Sequence, residues 1–447
     1  MIKSLVSFLV QNKTNNMAIK AILTSALLSI FIRAIGFFKE SVIAYYFGIS
    51  QYVDFYVLAL TYSVFFVHPI GGALSTLLTQ KYIEMSEKVS KSISADMYIK
   101  SQIFGISIMI IIMSTQLALL EFPSIQKIIQ TRFDKVDMKY MYILIPVGLI
   151  SFISLINGAI LTAKTQFKTF TSLPALVPIS ILIFLICFPL EYKFEALFIG
   201  TLIGFLLELI ASKLSLKKVL TKIDFGLIKK NSWEFNKIIK SVPSLIFSGI
   251  IMGGCLVVDQ LMATLAGEGA VAIINFGNRL TLGLISVSVI IYTVLYPYFI
   301  KFASINDYKS LRKSLGIFSF LIVTFLVPLC GGLALFSEEI ISILYERGAF
   351  LKKDTIIVAN IQMLYFLHIP LYVLCMICVR VANALENTQI ILIGNIILLT
   401  LNIILNLFFI DQYGVIGIPL ATLVSYGLLT LYWFITSNLL INSRINS

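Results

Sequence analysis

The sequence predicts an all-α polytopic membrane protein with about twelve transmembrane helices in two six-helix lobes and both termini in the cytoplasm. Of its 447 residues, 59% are apolar and only 13% are charged, which is about half the charged fraction of an average soluble protein. Apolar stretches of about 20 residues recur along the chain, the length that a helix needs to cross a bilayer. The lysines and arginines fall mainly in the loops of one side, as expected for cytoplasmic loops.

The charge pattern separates the chain into lobes. The net charge of +12 would suggest nucleic acid in a soluble protein, but here it sets the orientation in the membrane, and no nucleic-acid partner is expected. Eight lysines between residues 213 and 240 interleave with apolar residues, which favours an amphipathic stretch on the anionic inner leaflet over a plain tether. The predicted divisions are an N-terminal interfacial segment (1–17), an N-terminal lobe (18–213), a basic cytoplasmic linker (214–240), a C-terminal lobe (241–438) and a cytoplasmic tail (439–447).

Twelve spans follow from the apolar pattern. They lie near residues 18–48, 55–80, 98–120, 140–163, 171–190, 195–213, 241–265, 271–299, 314–336, 356–382, 388–410 and 414–438.

The two halves of the chain look like a repeat. The tetrapeptide AKTQ at 163–166 has a counterpart in ENTQ at 386–389, each just after a predicted span and about half the chain apart. Six spans in each half place both halves in the membrane in the same orientation. Parallel repeats of this kind are a transporter architecture, with the substrate site near the midplane between the repeats.

The first span carries charges in its middle. Arg33, Lys39 and Glu40 interrupt the apolar stretch 27–48, and a charged side chain at the bilayer centre costs about 2.5–3.5 kcal/mol on insertion scales. At 100° per residue, Arg33, Gly36 and Glu40 share one stripe of a helix. Two cations against one anion favour the wall of an anion-binding cavity, and a structural ion pair between helices is the alternative.

The second half contains further charged residues inside predicted spans. Arg279 follows Asn278 near the start of the eighth span, so Arg33, Lys39 and Arg279 would converge on a central cationic cavity suited to phosphate or pyrophosphate oxygens. An Arg279 side chain that reaches to the interface is the alternative. Asp54 is expected to cap the N-terminus of the second span.

Asp259 is an acidic residue in the seventh span. We expect its carboxylate to pair with a cation of the lobe or to bind a coupling ion or a proton. Asn395 and Asn402 in the eleventh span could complete a sodium site with it, although asparagines between membrane helices are often structural.

Both histidines of the chain, His68 and His368, precede a proline in a predicted span. Pro69 and Pro370 are expected to kink the second and tenth spans and to free backbone carbonyls. The histidines would hydrogen-bond to those carbonyls, or else line a cavity.

No catalytic or metal-binding constellation can be assembled from the sequence, so we expect a protein that is not an enzyme and that has no cofactor. Coupling to Na⁺, H⁺ or the membrane potential stays open. A membrane-embedded glycan polymerase or ligase is the alternative from another functional class.

Several ordered motifs resemble the MurJ/MviN family of lipid II flippases, within the multidrug/oligosaccharidyl-lipid/polysaccharide exporter superfamily, and the resemblance runs from about residue 18 to 438. The motifs are IRAIGFFKESVIAYYFG (32–48), FGNRLTLGLISVSVIIYTVLYP (276–297), LYERGAF (344–350) and RVANALENTQI (380–390).

The resemblance implies a role for individual residues. Arg33, Lys39 and Arg279 stand at positions that the family uses in its central cationic cavity, and Glu40 and Asp54 at its neighbouring acidic positions. Asn278 stands where the family has an acid. The family's cavity arginine in the second span has no match in FFVHPIGG (65–72), where His68 is the nearest ionisable residue.

The implied function is an alternating-access flippase in the bacterial cytoplasmic (inner) membrane that serves peptidoglycan and cell-wall biogenesis. Its partners would be a polyprenyl-pyrophosphate-linked saccharide, first of all lipid II, and membrane lipids, and a monomer is expected. A flippase for O-antigen, capsule or exopolysaccharide repeat units is the alternative within the same superfamily.

Overall fold

The computed structural model describes residues 13–88, 91–219, 249–250 and 253–446. Within these ranges nearly every residue is helical and there is no β-strand, which confirms the all-α prediction. Helices dominate because apolar segments of this length satisfy their backbone hydrogen bonds internally, as a bilayer requires. Most of the segment 1–17 and most of the linker 214–240 lie outside the described residues.

The helices of the first half alternate with short turns. In order they are α1 (Lys13–Phe47), α2 (Gln51–Val64), α3 (Gly72–Lys88), α4 (Lys91–Leu120), α5 (Pro123–Arg132), α6 (Lys139–Ala163), α7 (Phe167–Ser172), α8 (Leu176–Cys187) and α9 (Lys193–Val219). A π-helical turn (Val67–Gly71) joins α2 to α3, a 3₁₀ turn (Leu173–Ala175) joins α7 to α8, and a second 3₁₀ turn (Leu190–Tyr192) precedes α9.

The helices of the second half follow in the same way. They are α10 (Gly253–Ala266), α11 (Ala270–Ser304), α12 (Tyr308–Leu321), α13 (Val327–Leu335), α14 (Ser337–Tyr345), α15 (Lys352–Ala384), α16 (Thr388–Tyr413) and α17 (Gly417–Asn446). A second π-helical turn (Ile322–Leu326) joins α12 to α13, and a 3₁₀ turn (Gly414–Ile416) joins α16 to α17.

Eight segments of the described chain are long and apolar enough to cross a membrane. They are Gln51–Thr79, Tyr98–Leu120, Lys139–Ala163, Phe167–Cys187, Leu190–Lys217, Tyr308–Leu335, Lys352–Ala384 and Gln389–Ile445. The last of these contains both α16 and α17, and Gly253–Ala266 and Ala270–Ser286 are shorter apolar helices. The protein is therefore a polytopic helical membrane protein.

The two prolines next to histidines act differently. Pro69 lies in the π-helical turn between α2 and α3, so the predicted disruption of the second span is present as a change of helix type. Pro370 lies inside α15, which runs without interruption from Lys352 to Ala384. In the tenth span the proline is accommodated within the helix.

The chain divides into two compact units. The first contains residues 1–42 and 59–249, and the second contains residues 43–58 and 250–447. The core of the first unit is formed by α3, α4 and α6, with Leu74, Phe152 and Ile156 fully buried. The core of the second unit is formed by α11, α12, α15 and α17 around the buried Trp433.

Residues 43–58, the end of α1 and the start of α2, therefore belong to the second unit. The amide of Ala349 donates a hydrogen bond of 2.8 Å to the carbonyl of Tyr45. Gly48 and Gly348 both have a positive φ, and a Cβ at Gly348 would collide with the Tyr45 carbonyl oxygen. Only glycine fits such a close approach of two backbones.

Candidate functional site

The charged residues of α1 do not share one environment. Lys39 and Glu40 are 8% and 3% exposed, and Lys39 Nζ lies 2.8 Å from Glu40 Oε1. Arg33, two turns earlier, is exposed in the first unit. The predicted stripe of Arg33 and Glu40 therefore runs from an exposed cation to a buried anion, and Lys39 lies beside the anion.

Asp54 lies in the first turn of α2, where the sequence predicts a capping carboxylate, and it also caps a second helix. Its carboxylate is 1% exposed and accepts hydrogen bonds of 2.7 Å from the amides of Gly269 and Ala272. These amides belong to the N-terminus of α11, about 215 residues further along the chain, a contact that the sequence did not indicate. The unsatisfied N–H groups and the partial positive charge of a helix N-terminus stabilise an anion in this position.

Arg279 is positioned on α11 by its surroundings. Three residues before it, Phe276 packs against Tyr345 and Phe350 with ring centroids 5.2 and 5.8 Å apart. A Cβ at Gly277 would lie 2.6 Å from the side chain of Ile361 on α15. The motifs FGNR and LYERGAF thus pack together, and with the Asp54 cap they set the orientation of Arg279, which is half-buried next to the buried Asn278.

The two histidines differ in burial and in whether the ring bonds to a backbone carbonyl. His368 is buried, and its Nδ1 lies 2.5 Å from the carbonyl oxygen of Tyr365. The expected partner was a carbonyl freed by the proline, but the missing N–H of Pro370 frees the carbonyl of Phe366 instead. The His68 ring is exposed in the π-helical turn, and it makes no hydrogen bond to a described residue. His68 is therefore a candidate cavity residue rather than a partner of a freed carbonyl.

A buried polar cluster of the second unit surrounds Asp259 on α10. The Asp259 side chain is 5% exposed. One carboxylate oxygen, Oδ1, accepts hydrogen bonds from the side-chain amides of Asn402 (3.0 Å) and Asn406 (2.9 Å). The other, Oδ2, accepts one of 3.1 Å from the hydroxyl of Thr422. All three donors are neutral, and no described cation pairs with this carboxylate, so the expected ion pair is not found among the described residues of the lobe.

Two side-chain oxygens of the same cluster accept no hydrogen bond from a described residue. They are the buried Oδ1 atoms of Asn402 and Asn406. A buried carboxylate with a formal charge, two amide oxygens and a hydroxyl form a set of hard oxygen donors, the type that binds a small hard cation. The residue types therefore fit a monovalent cation such as Na⁺ in place of the missing countercharge.

The sequence indicated part of this cluster. Its pattern predicted Asp259, Asn402 and Asn395, but the Nδ2 of Asn395 has no partner in the cluster, and the pattern did not indicate Asn406 or Thr422. Asn406 follows Asn402 by four residues and so lies on the same face of α16, which is a signal that the sequence contained. Thr422 lies on α17, and no local pattern relates it to Asp259.

The described residues hold no site for catalytic metal chemistry. Among them, no three His, Cys, Asp or Glu side chains are close enough to hold a metal ion together. Cys375 and Cys378, which have CxxC spacing, are buried as free thiols. The guanidinium of Arg380 lies over the rings of Tyr292 and Tyr296 at 5.1 and 5.5 Å.

Comparison with known proteins connects these features to one family. The family model described as Lipid II flippase MurJ matches residues 43–445, which is most of the chain. The chain belongs to the MurJ family of lipid II flippases. The range matched by the MurJ model includes Asp54, Asp259 and Arg279 and begins after the charged residues of α1.

Individual MurJ relatives agree with this assignment. A probable lipid II flippase MurJ of Rickettsia prowazekii is 24% identical over 429 residues, with 92% of this chain and 82% of that protein aligned. The lipid II flippase MurJ of Thermosipho africanus is 36% identical over 120 residues, an alignment of 27% of this chain and 25% of that protein.

Solved structures share the fold. A structure of lipid II flippase MurJ in an inward closed conformation matches with a TM-score of 0.76 at 26% identity, covering 93% of this chain and 87% of that chain. An inward-facing multidrug resistance MATE family transporter matches with a TM-score of 0.73 at 10% identity, covering 95% and 99%. The second likeness concerns the fold alone, which the MurJ family thus shares with a multidrug transporter.

Proposed function

We propose that the chain is an alternating-access flippase that moves a polyprenyl-pyrophosphate-linked saccharide, first of all lipid II, from the inner to the outer leaflet. The observation that carries the proposal is the match to the MurJ family over residues 43–445. The bacterial cytoplasmic (inner) membrane is the proposed location, with twelve spans, both termini in the cytoplasm and a monomer as the working unit. Nothing in the proposed cycle requires a covalent step, so the protein is not proposed to be an enzyme.

The substrate's pyrophosphate is proposed to bind Arg33, Lys39 and Arg279. Arginine binds phosphate oxygens with two parallel N–H donors, and lysine adds a point charge. The exposure of Arg33 on α1 and the fixed position of Arg279 on α11 support this assignment.

Four neighbours are given supporting roles. Glu40 balances Lys39 across the 2.8 Å contact, Asp54 caps α11, and Asn278 and His68 complete the polar lining. An inside-negative potential favours outward movement of an anionic headgroup by about 2.3 kcal/mol per charge per 100 mV.

We propose that the Asp259 cluster binds the coupling cation, with Na⁺ as the first choice and a proton as the competing one. Support comes from the three neutral donors on the carboxylate and from the amide oxygens of Asn402 and Asn406 that accept no hydrogen bond. A bound cation would balance the negative charge of the buried carboxylate. It would also give the cycle a step that returns the empty, cation-lined cavity towards the cytoplasm.

The test is complementation in a bacterium depleted of its own lipid II flippase, with exposure of lipid II at the outer face as the direct readout. The wild-type chain should restore growth, and Arg33→Ala and Arg279→Ala should abolish rescue while the protein still inserts at normal levels. Wild-type rescue by both variants would refute the cationic cavity. Failure of a well-expressed wild-type chain would instead favour a flippase for O-antigen, capsule or exopolysaccharide repeat units, since the family's second-span arginine is absent beside His68.

A further inference from the structure

A carboxylate outside the proposed cavity lies inside a membrane-spanning helix of the first unit. Glu208 belongs to α9, within the apolar segment Leu190–Lys217. At 1.5 Å per residue it lies about 22 Å along the axis from Lys193 and about 14 Å from Lys217. A hydrocarbon core of about 30 Å therefore contains it, and intramembrane acids at such depth are functional candidates by default.

Glu208 points towards neighbouring helices rather than directly to lipid. Its carboxylate side chain is half-buried, whereas Leu206, Leu207 and Ile210 on the opposite face of α9 are exposed. One turn before it, the missing Cβ of Gly204 would lie 2.8 Å from the Cα of Val177 on α8. One turn after it, the hydroxyl of Ser212 accepts a 2.9 Å hydrogen bond from Asn157 on α6. Glu208 is therefore on the stripe of α9 that packs against α6 and α8.

Three hydroxyl groups near Glu208, on this stripe or packed against it, have partners. Thr201 donates to the carbonyl of Leu197 at 2.7 Å, Ser180 of α8 donates to the carbonyl of Gly200 at 2.8 Å, and Ser212 donates to the carbonyl of Leu209 at 2.8 Å. The carboxylate of Glu208 makes no hydrogen bond and no ion pair with any described residue. Among the charged side chains of the described part of α9, it is the one that lies inside the apolar segment, is not exposed and has no partner.

No described cation faces Glu208. On α9 itself, Lys213 and Lys217 lie about 140° and 180° around the helix from it, and Lys193 is at the far end, where its ammonium donates to the carbonyl of Leu185. The elements that pack against α9 are α6, α8 and the two 3₁₀ turns. Their charged residues, with that of the adjoining α7, are at the ends of these elements: Lys139, Lys164, Lys168 and Glu191.

A carboxylate in this position needs a positive charge, and no described residue supplies one. Burial of an ionised carboxylate without a partner is so costly that such groups take up a proton instead. We propose that Glu208 is a proton-binding site of the first unit, protonated while α6, α8 and α9 are packed as described and deprotonated when their junction admits water. The only reaction is addition of H⁺ to the carboxylate to give the neutral acid.

Proton binding of this kind biases a conformational equilibrium, because the neutral acid favours the packed junction and the carboxylate favours a hydrated one. Its contribution to the transport cycle rests on the proposed function. The protonation itself does not, so the two can be tested separately.

The direct test is labelling of the purified full-length chain in lipid nanodiscs with dicyclohexylcarbodiimide, which adds to protonated carboxyl groups in apolar surroundings. Mass spectrometry should find the adduct on Glu208 at pH 6, and the labelled fraction should fall by roughly tenfold per pH unit once the pH exceeds the midpoint of the titration. Glu195 on the same helix, which accepts a 2.7 Å hydrogen bond from the Tyr140 hydroxyl, should stay unlabelled. Absence of the adduct at pH 6, equal labelling from pH 6 to pH 9, or equal labelling of Glu195 would each overturn the proposal.

A second measurement uses Glu208→Gln, which imitates the neutral acid. The melting temperatures of wild type and variant should agree at pH 6, and the variant should become the more stable one as the pH rises, because only the wild type must then bury or hydrate a charge. Parallel profiles would overturn the proposal, and if the variant does not fold, the labelling of the wild type decides. Absence of lipid II transport at every pH would refute the proposed function and leave both results on Glu208 unaffected.

Discussion

At the scale of single residues, the Asp259 cluster is the site whose chemistry can be tested most directly. A cation bound to the carboxylate and to the amide oxygens of Asn402 and Asn406 stabilises the folded state by mass action, by about 2.7 kcal/mol when its concentration is 100 times its dissociation constant. Exchange of NaCl for choline chloride at constant ionic strength should therefore lower the melting temperature of the purified chain by several degrees. Asp259→Asn should abolish this difference.

Asp411→Asn is the matched control, since Asp411 is an exposed acid of the same unit. This variant should keep the full response to Na⁺. A wild-type chain that melts at the same temperature in both salts would refute a sodium site at Asp259 and favour the proton.

A second prediction at the residue scale concerns the Lys39–Glu40 pair. It tests whether Lys39 only stabilises the fold or also binds the substrate. Removal of one partner of a buried ion pair costs about 3–5 kcal/mol, whereas replacement of both by neutral residues of similar volume is often tolerated. Lys39→Met alone should thus lower the melting temperature, and Lys39→Met combined with Glu40→Gln should restore most of it.

Transport should stay lost in that double variant, because the lysine proposed to bind the pyrophosphate is gone. Recovery of lipid II exposure together with stability would show that Lys39 serves only the ion pair. Both variants would be compared by complementation and by thermal unfolding.

At the scale of the elements, glycines decide how helices meet. Gly348, in the LYERGAF motif after α14, has a φ of 61° and faces the backbone of Tyr45. Left-handed conformation costs an L-residue about 1–2 kcal/mol, and the added methyl group would also meet the carbonyl oxygen. Gly348→Ala should therefore lower the melting temperature and reduce rescue of growth.

Gly331 offers the matched control within α13. A Cβ at this position would meet no atom within 4 Å, and alanine is favoured over glycine in a helix by about 1 kcal/mol. Gly331→Ala should leave the stability unchanged or raise it. Equal destabilisation by both substitutions would contradict the role assigned to Gly348.

At the scale of the whole molecule, the proposed cycle requires residues 43–58 to move. This segment continues α1 and α2, which otherwise belong to the first unit, yet it packs within the second unit. The predicted orientation places it at the outer face. Opening towards the outside should therefore require these residues to leave their contacts with residues 348–349.

A cross-link tests that movement. The 2.8 Å hydrogen bond between the backbones of Tyr45 and Ala349 places the two residues within the range that a disulfide can bridge. Cysteines at these positions, in a chain whose five native cysteines are replaced, should stop lipid II exposure when oxidised and permit it again after reduction. Cysteines at Thr79 and Ala159, where the Thr79 hydroxyl lies 3.2 Å from the Ala159 carbonyl oxygen inside the first unit, should permit transport in both states.

Local patterns allowed much of this protein to be predicted. Apolar segments of membrane-spanning length specified helices because a bilayer offers the backbone no other partners, and the motifs at 276–297 and 344–350 indicated the family. The bond of His368 to the carbonyl of Tyr365 joins residues three positions apart on one helix, so it too is a local contact. Each of these depends on residues that are close together in the sequence or on composition alone.

Contacts between residues that are far apart in the sequence could be identified only from the tertiary structure. Asp54 caps α11 in addition to lying in the first turn of its own helix, Thr422 binds Asp259 from α17, and residues 43–58 pack in the second unit. Glu208 stands out only once the charged groups of the helices packed against α9 have been placed. The sequence by itself determined which segments become membrane helices, because burial of the backbone in lipid is a local requirement. Tertiary structure alone decided which charges are satisfied, because a hydrogen bond or an ion pair depends on distances of about 3 Å between residues that the chain separates by a hundred positions or more.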